Sequence, residues 1–138
     1  MTLHMTPATL DDSTFLLALR NDPTVRAQSI SHEAVSADAH QQWLTTALDD
    51  PALLIWVVWD GETPIGTLRL TKKGGVWEVS LALIPDFRGR GIGTWIIYQA
   101  HAYSPLAAWV RADNPASIKA FLMNGFRETG MFSRLEWP

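Results

Sequence analysis

Arg88-Gly89-Arg90-Gly91-Ile92-Gly93 sits between two apolar runs, one ending at Ile84 and the other starting at Thr94, and it constrains the fold more than any other stretch. Residues 77–84 alternate as a strand does. Trp77, Val79, Leu81 and Leu83 fall on one side, and Glu78, Ser80, Ala82 and Ile84 on the other. Pro85-Asp86 stops the strand. The run from Thr94 to Ala102 is too long and too uniformly apolar for a surface strand, and predicts a largely buried helix. Strand, glycine-rich turn and helix together make a device for holding phosphate. The first N–H groups of a helix have no intrahelical partner, and the helix dipole adds positive potential there. Glycines at 89, 91 and 93 carry no Cβ to keep an anion away. Tight packing of a strand on a helix would produce the same spacing, so at this level both readings stand.

Two glycine-phosphate patterns are excluded. A Walker loop needs Lys and then Ser or Thr after its last glycine, and Ile92-Gly93-Thr94 has no such Lys. A dinucleotide fingerprint needs Gly-x-Gly-x-x-Gly beside the first strand of a βαβ unit, whereas here the spacing is Gly89-x-Gly91-x-Gly93, deep in the chain. A length of 138 residues suits one domain over residues 1–138 with a single core. Eleven basic against fourteen acidic residues give a net charge of -3, which argues against nucleic-acid or acidic-membrane partners. The absence of cysteine removes disulfides, thiolate zinc sites and a cysteine nucleophile. His4, His32, His40 and His101 are dispersed, so no metal is expected. The first residues lack the pattern of a signal peptide, and the longest apolar run, Leu53 to Trp59, is far shorter than the roughly 20 residues of a membrane span. The expectation is a soluble cytoplasmic protein, monomeric or homodimeric.

In chain order, Leu3 to Met5 predicts a first strand ending before Pro7. Asp11 or Asp12 is expected to cap a helix running to about Arg20 with Phe15, Leu16 and Leu19 buried, and Asn21-Asp22-Pro23 to break it. Residues 24–35 read as irregular or weakly helical. Ser36 is the expected cap of a helix to Leu48 whose apolar face is Ala39, Trp43 and Ala47, flanked by Leu44 and Leu48. Leu53 to Trp59 predicts a strand covered on both faces, Asp60 to Pro64 a hairpin turn, and Ile65 to Leu70 its antiparallel partner. Lys72-Lys73-Gly74-Gly75 is the next expected turn, with the two lysines at its solvated tip. Beyond the buried helix, Leu106 to Arg111 reads as a strand and Asn114-Pro115 as a cap with proline at the first helical position. Asn124-Gly125 closes that helix in a left-handed turn, and residues 126–131 and 133–137 predict a final hairpin.

The segment Phe87 to Gly93 resembles the acetyl-CoA-binding motif of the GNAT superfamily of N-acetyltransferases, Gln/Arg-x-x-Gly-x-Gly/Ala, with Arg88, Gly91 and Gly93 at its fixed positions. Asn114 and the helix ending in Asn124-Gly125-Phe126 resemble the family's second block. The resemblance implies an α/β (α+β mixed) GNAT fold. Its central mixed, mostly antiparallel sheet has six to seven strands, flanked by about four helices and splayed open between residues 77–84 and 107–111. It implies acetyl-CoA as cosubstrate, its pyrophosphate on backbone N–H groups of Arg88, Gly89, Arg90, Gly91, Ile92, Gly93 and Thr94, and its pantetheine arm along Leu83 and Ile84. Asn114 and Ser117 complete the expected cofactor contacts.

Acetyl transfer needs a neutral amine and hence a base. Glu78, where some family members carry a catalytic glutamate, is the expected base, and Ser80 on the same face is expected to orient water or substrate. Seven residues after Asn114, where many members carry a tyrosine as general acid, this chain has Phe121. Tyr98 and Tyr103 are expected in the core, and Trp43, Trp56 or Trp109 along an acceptor pocket. Leu19 to Pro23, Val25-Arg26, Ser29, His40 and Trp43 resemble the acceptor segment of amino-sugar-nucleotide acetyltransferases, and also parts of ribosomal-protein and polyamine acetyltransferases. The implied acceptor is a small primary amine, such as an amino sugar or its nucleotide, with a protein N-terminus or a polyamine as alternatives. A non-catalytic acyl-CoA-binding module is the competing class, motivated by Phe121.

Overall fold

The computed structural model describes residues 1–28, 33–129 and 134–137. One seven-stranded sheet runs through them in the order β1-β2-β3-β4-β5-β7-β6. Its strands are β1 (Leu3–Pro7), β2 (Leu53–Asp60), β3 (Thr63–Lys73), β4 (Val76–Leu83), β5 (Leu106–Trp109), β6 (Arg127–Glu128) and β7 (Arg134–Trp137). All neighbours pair antiparallel except β4 and β5, which are parallel. Five α-helices accompany it among the described residues: α1 (Ser13–Asn21), α2 (Pro23–Gln28), α3 (Ala37–Ala47), α4 (Ile92–Ala100) and α5 (Pro115–Met123). This is the mixed, mostly antiparallel α/β architecture that the resemblance implies.

The sheet is covered on both sides because β2 is apolar at nearly every position. Ile55 and Val57 point to one face, under Leu16 of α1 and Leu44 and Ala47 of α3. Val58, with Leu54 and Trp56, belongs to the opposite core, where Ile92, Ile96 and Ile97 of α4 meet Leu68 and Leu70 of β3 and Val79 of β4. Trp77, Leu81 and Leu83 join that second core, as the alternation of β4 predicts.

Several local expectations change. Asp12 does not cap α1 by side chain; its carboxylate turns back to accept from the Thr9 N–H at 2.9 Å, closing the short turn that precedes the helix. Part of the segment expected to be irregular or weakly helical is α2, which begins one residue earlier, at Pro23. Asp22 ends α1 and begins α2, accepting at Oδ1 from the N–H groups of Thr24 (2.9 Å) and Val25 (3.2 Å), and Pro23 fits the first helical position. Ser36 caps α3, accepting from the Ala39 N–H at 3.2 Å. The buried stripe of α3 is His40, Leu44 and Ala47, the i, i+4, i+7 row, so Ala39 and Trp43 face outward. Lys72 and Lys73 are the end of β3, and the turn is carried by Gly74 and Gly75. Helix α4 begins at Ile92, two residues before the apolar run. Tyr98 is exposed on α4, while Tyr103 packs beside Trp56 and Trp77. Ser29, His32 and residues 130–133 lie outside the described residues.

Candidate active site

The glycine loop is built from the end of β4 onward. One tight turn over Pro85–Phe87 is closed by the N–H groups of Phe87 and Arg88, which donate to the carbonyls of Ile84 (3.1 Å) and Pro85 (3.2 Å). Gly89 and Gly91 then adopt φ of 74° and 79°, the left-handed region that side chains resist. A Cβ at either would meet nothing within 4 Å. Glycine is therefore demanded there by backbone conformation, and the space in front of the loop is open. Gly93 differs: it lies in the first turn of α4, and a Cβ there would make ordinary contact with Leu81 Cδ1 at 3.8 Å. Gly91 caps α4, and the Trp95 N–H donating to its carbonyl at 3.1 Å is the first intrahelical bond. The N–H groups of Ile92, Gly93 and Thr94 thus project from the helix start, where the dipole is positive.

Beside the loop the sheet parts. Strands β4 and β5 pair only at Trp77 with Leu106 and Glu78 with Ala107, and diverge beyond. Residues of a strand direct their backbone polar groups to alternate neighbours. The Ile84 N–H donates to Ile65 of β3 at 2.9 Å, and the Trp77 N–H donates to Pro105 on the β5 side at 3.0 Å. Leu81 and Leu83, in phase with Trp77, therefore face the opening, and Ile84 faces away. Arg88 crosses this corner. Its Nε and Nη2 donate to the Leu83 carbonyl at 3.2 and 3.0 Å, and its Nη1 donates to Thr24 Oγ1 at 2.7 Å. It also lies 3.9 Å from the Asp22 carboxylate. The Thr24 hydroxyl, the Thr24 and Val25 N–H groups and Arg88 hold that carboxyl below its ordinary value, against the opposing effect of burial; the hydroxyl contributes most. The arginine thus ties the loop to the start of α2. Arg90 lies over the Phe87 ring, 5.0 Å from its centroid.

Glu78 stands where β4 and β5 are last paired. Its Oε2 accepts from Trp109 Nε1 at 2.9 Å, and its Oε1 lies 3.2 Å from Lys73 Nζ. Each carboxylate oxygen keeps a further lone pair, so a water can still be held. Ser80, one step along the same face, is exposed. Asn114 caps α5, accepting at Oδ1 from the Ser117 N–H at 3.3 Å. The far end of α5 closes on Gly125 at φ 85°, with Gly125 N–H to Leu122 O at 3.0 Å and Phe126 N–H to Phe121 O at 3.2 Å. Asn124 Nδ2 donates to the Thr94 carbonyl at 3.2 Å and so braces the first turn of α4. That brace, and the link from Arg88 to Thr24, were not legible in sequence because each joins elements far apart in the chain.

With the geometry in place, the sequence pattern described as the Acetyltransferase (GNAT) family matches residues 14–126. The chain belongs to the GNAT acetyltransferase family. It is an N-acetyltransferase of the GNAT type. A curated relative, the peptidyl-lysine N-acetyltransferase YjaB of Salmonella typhimurium, is 30% identical over 109 residues, covering 76% of this chain and 72% of that protein. Among solved structures, the spermidine N-acetyltransferase of Vibrio cholerae in complex with CoA and spermine superposes with a TM-score of 0.87 at 18% identity, over 98% of this chain and 92% of that one. AAC(6')-Ib in complex with ribostamycin and coenzyme A gives 0.80 at 15% identity, over 99% and 91%. At such identities these two structures share the GNAT fold with this chain. Among the described residues, no helix is long and apolar enough to cross a membrane.

Proposed function

We propose that this GNAT domain, spanning residues 1–138, transfers the acetyl group of acetyl-CoA to a primary amine of a small molecule in the cytoplasm. The observation that carries this reading is the junction of the β4–β5 opening with the start of α4, where Gly89 and Gly91 leave the space clear. Acetyl-CoA would supply an activated acyl thioester. Backbone N–H groups of Gly89, Arg90, Gly91, Ile92, Gly93 and Thr94 would hold its pyrophosphate. Leu81 and Leu83, rather than Ile84, would pair with the pantetheine arm as an added strand, and one of their N–H groups would donate to the thioester oxygen as charge develops. Arg88 acts by fixing the end of β4, and Asn114 by fixing the start of α5.

Glu78 serves as the base, taking the proton of the incoming amine through a held water, with Ser80 orienting that water or the substrate. Lys73 and Trp109 keep the carboxylate aimed. Acceptors in the names of the relatives, a peptide lysine, spermidine and ribostamycin, are all amines, which supports the reaction class and leaves room for an amino sugar. The test is thiol release from acetyl-CoA across amino sugars and their nucleotides, polyamines, aminoglycosides and peptides. Wild type should turn over at least one class, and Glu78→Gln should lower its kcat by about 10²-fold or more. Tight CoA binding without turnover on any amine would instead favour the acyl-CoA-binding module, for which the buried Phe121 is the specific observation.

A further inference from the structure

One face of the sheet carries positive charge that the chemistry above does not use. Arg69 of β3 is in register with Ser80 of β4 and Ile55 of β2, so it stands one strand, about 4.8 Å, from the strand bearing Glu78 and Ser80, and on their face. Its guanidinium lies over the Trp43 ring of α3, 5.7 Å from the centroid, and that ring is 5.5 Å from the ring of His40. Helix α1 packs on both α3 and β3 and brings Arg20 into the same neighbourhood. Arg69 is solvent-exposed, and the atoms packed around its guanidinium first, and then the like charge of Arg20, hold it below the ordinary arginine value. Helix α2, packed on α1, adds Arg26, whose Nε is buried without a hydrogen-bond partner. Neither Arg69 nor Arg26 takes part in a salt bridge among the described residues. The chain as a whole carries a net charge of -3, so its composition does not account for this local concentration.

Like charges held near one another repel, and an anion between them offsets the repulsion. Planar guanidinium groups match carboxylate and phosphate with paired hydrogen bonds. We propose that the acceptor carries a carboxylate or phosphate on the same skeleton as its reacting amine, and that Arg69, with Arg20, binds this anion beside Trp43 while the amine reaches Glu78 and Ser80. The same charge disfavours polyamines, because a second ammonium group would meet a guanidinium. This inference rests on the acetyl-transfer reading for the position of the amine, but its anion site is tested separately.

The experiment is calorimetry of the CoA-saturated protein with matched pairs, ethanolamine against O-phosphoethanolamine and cadaverine against lysine, together with spermidine, followed by thiol release on the same compounds. In at least one pair the anionic member should bind about tenfold or more tighter than its parent, as expected for a charge-assisted contact. The phosphate and carboxylate pairs distinguish which anion is used. Arg69→Gln should collapse the ratio while CoA affinity is retained, Arg69→Lys should keep part of it, and Arg20→Gln should lower it as a second variant. Spermidine or a parent amine without the anion binding as well as its anion-bearing counterpart, no measurable binding of either anion-bearing amine, or a ratio unchanged in Arg69→Gln and Arg20→Gln would overturn the proposal. Anion-dependent binding without thiol release would sustain it and remove the catalytic reading. Efficient release with spermidine preferred would do the reverse.

Discussion

Phe121 is 3% exposed, and its ring meets that of Phe126 edge-on with centroids 4.9 Å apart, so its place is the core that joins α5 to the closing strands. A hydroxyl added at this position has no water to reach. Phe121→Tyr should therefore cost about 1–3 kcal/mol of stability through a buried unpaired hydroxyl, without raising kcat. Urea unfolding and turnover check this, and a gain in kcat would return the position to the chemistry. His40 is a buried polar residue, 5% exposed with Nδ1 lacking a partner. Burial first, and then the charge of Arg20, hold its pKa below 6.5. The unfolded chain then binds the proton more readily than the fold does. The stability this neutral histidine contributes is fully present above pH 6.5 and is lost as pH falls through the lower folded value. The urea midpoint should drop between pH of about 7.5 and about 5.5, and His40→Leu should flatten that drop. An equal slope in both proteins would contradict it.

At the scale of elements, the loop from β4 to α4 and the end of α5 each depend on a left-handed glycine. Gly91→Ala should destabilise the fold by about 1–2 kcal/mol even though its Cβ has room, because the cost lies in φ and not in contact. Gly93→Ala should be nearly neutral or mildly stabilising, since that residue is helical and its Cβ would meet Leu81 at an ordinary distance. Thermal unfolding of the two variants separates the roles; equal losses would place the loop's glycine requirement elsewhere. Much of this was legible in sequence. The alternation of β4, the Ser36 and Asn114 caps and the Asn124-Gly125 stop all act between residues a few positions apart. The outward turn of Trp43 was not, since His40 reads as polar and takes a core position only because α1 and β2 close over α3. The start of helix α2, within a segment that reads as irregular or weakly helical, was not legible for a related reason: it is an Asp-Pro pair that also reads as a helix stop.

Across the whole molecule, β1 to β4 and the strands from β5 onward share only two paired positions among the described residues, and α4 and α5 span the join from one face. The order of elements was legible in the sequence and the position of this parting was implied by the family resemblance, whereas the grouping of Arg20, Arg69 and Trp43 required the sheet register. A ligand seated in the opening touches both halves and stabilises the fold by mass action. CoA at 100 times its Kd should add about 2.7 kcal/mol to unfolding stability. The account depends most on the start of α4 being the seat of the cofactor, and CoA titration of wild type and Gly91→Glu by calorimetry tests that directly. The wild type should bind with a measurable enthalpy, and the variant, which places a carboxylate where the phosphates would lie, should show no binding while keeping a folded circular dichroism spectrum. A folded Gly91→Glu protein that binds CoA as tightly as wild type would contradict the account.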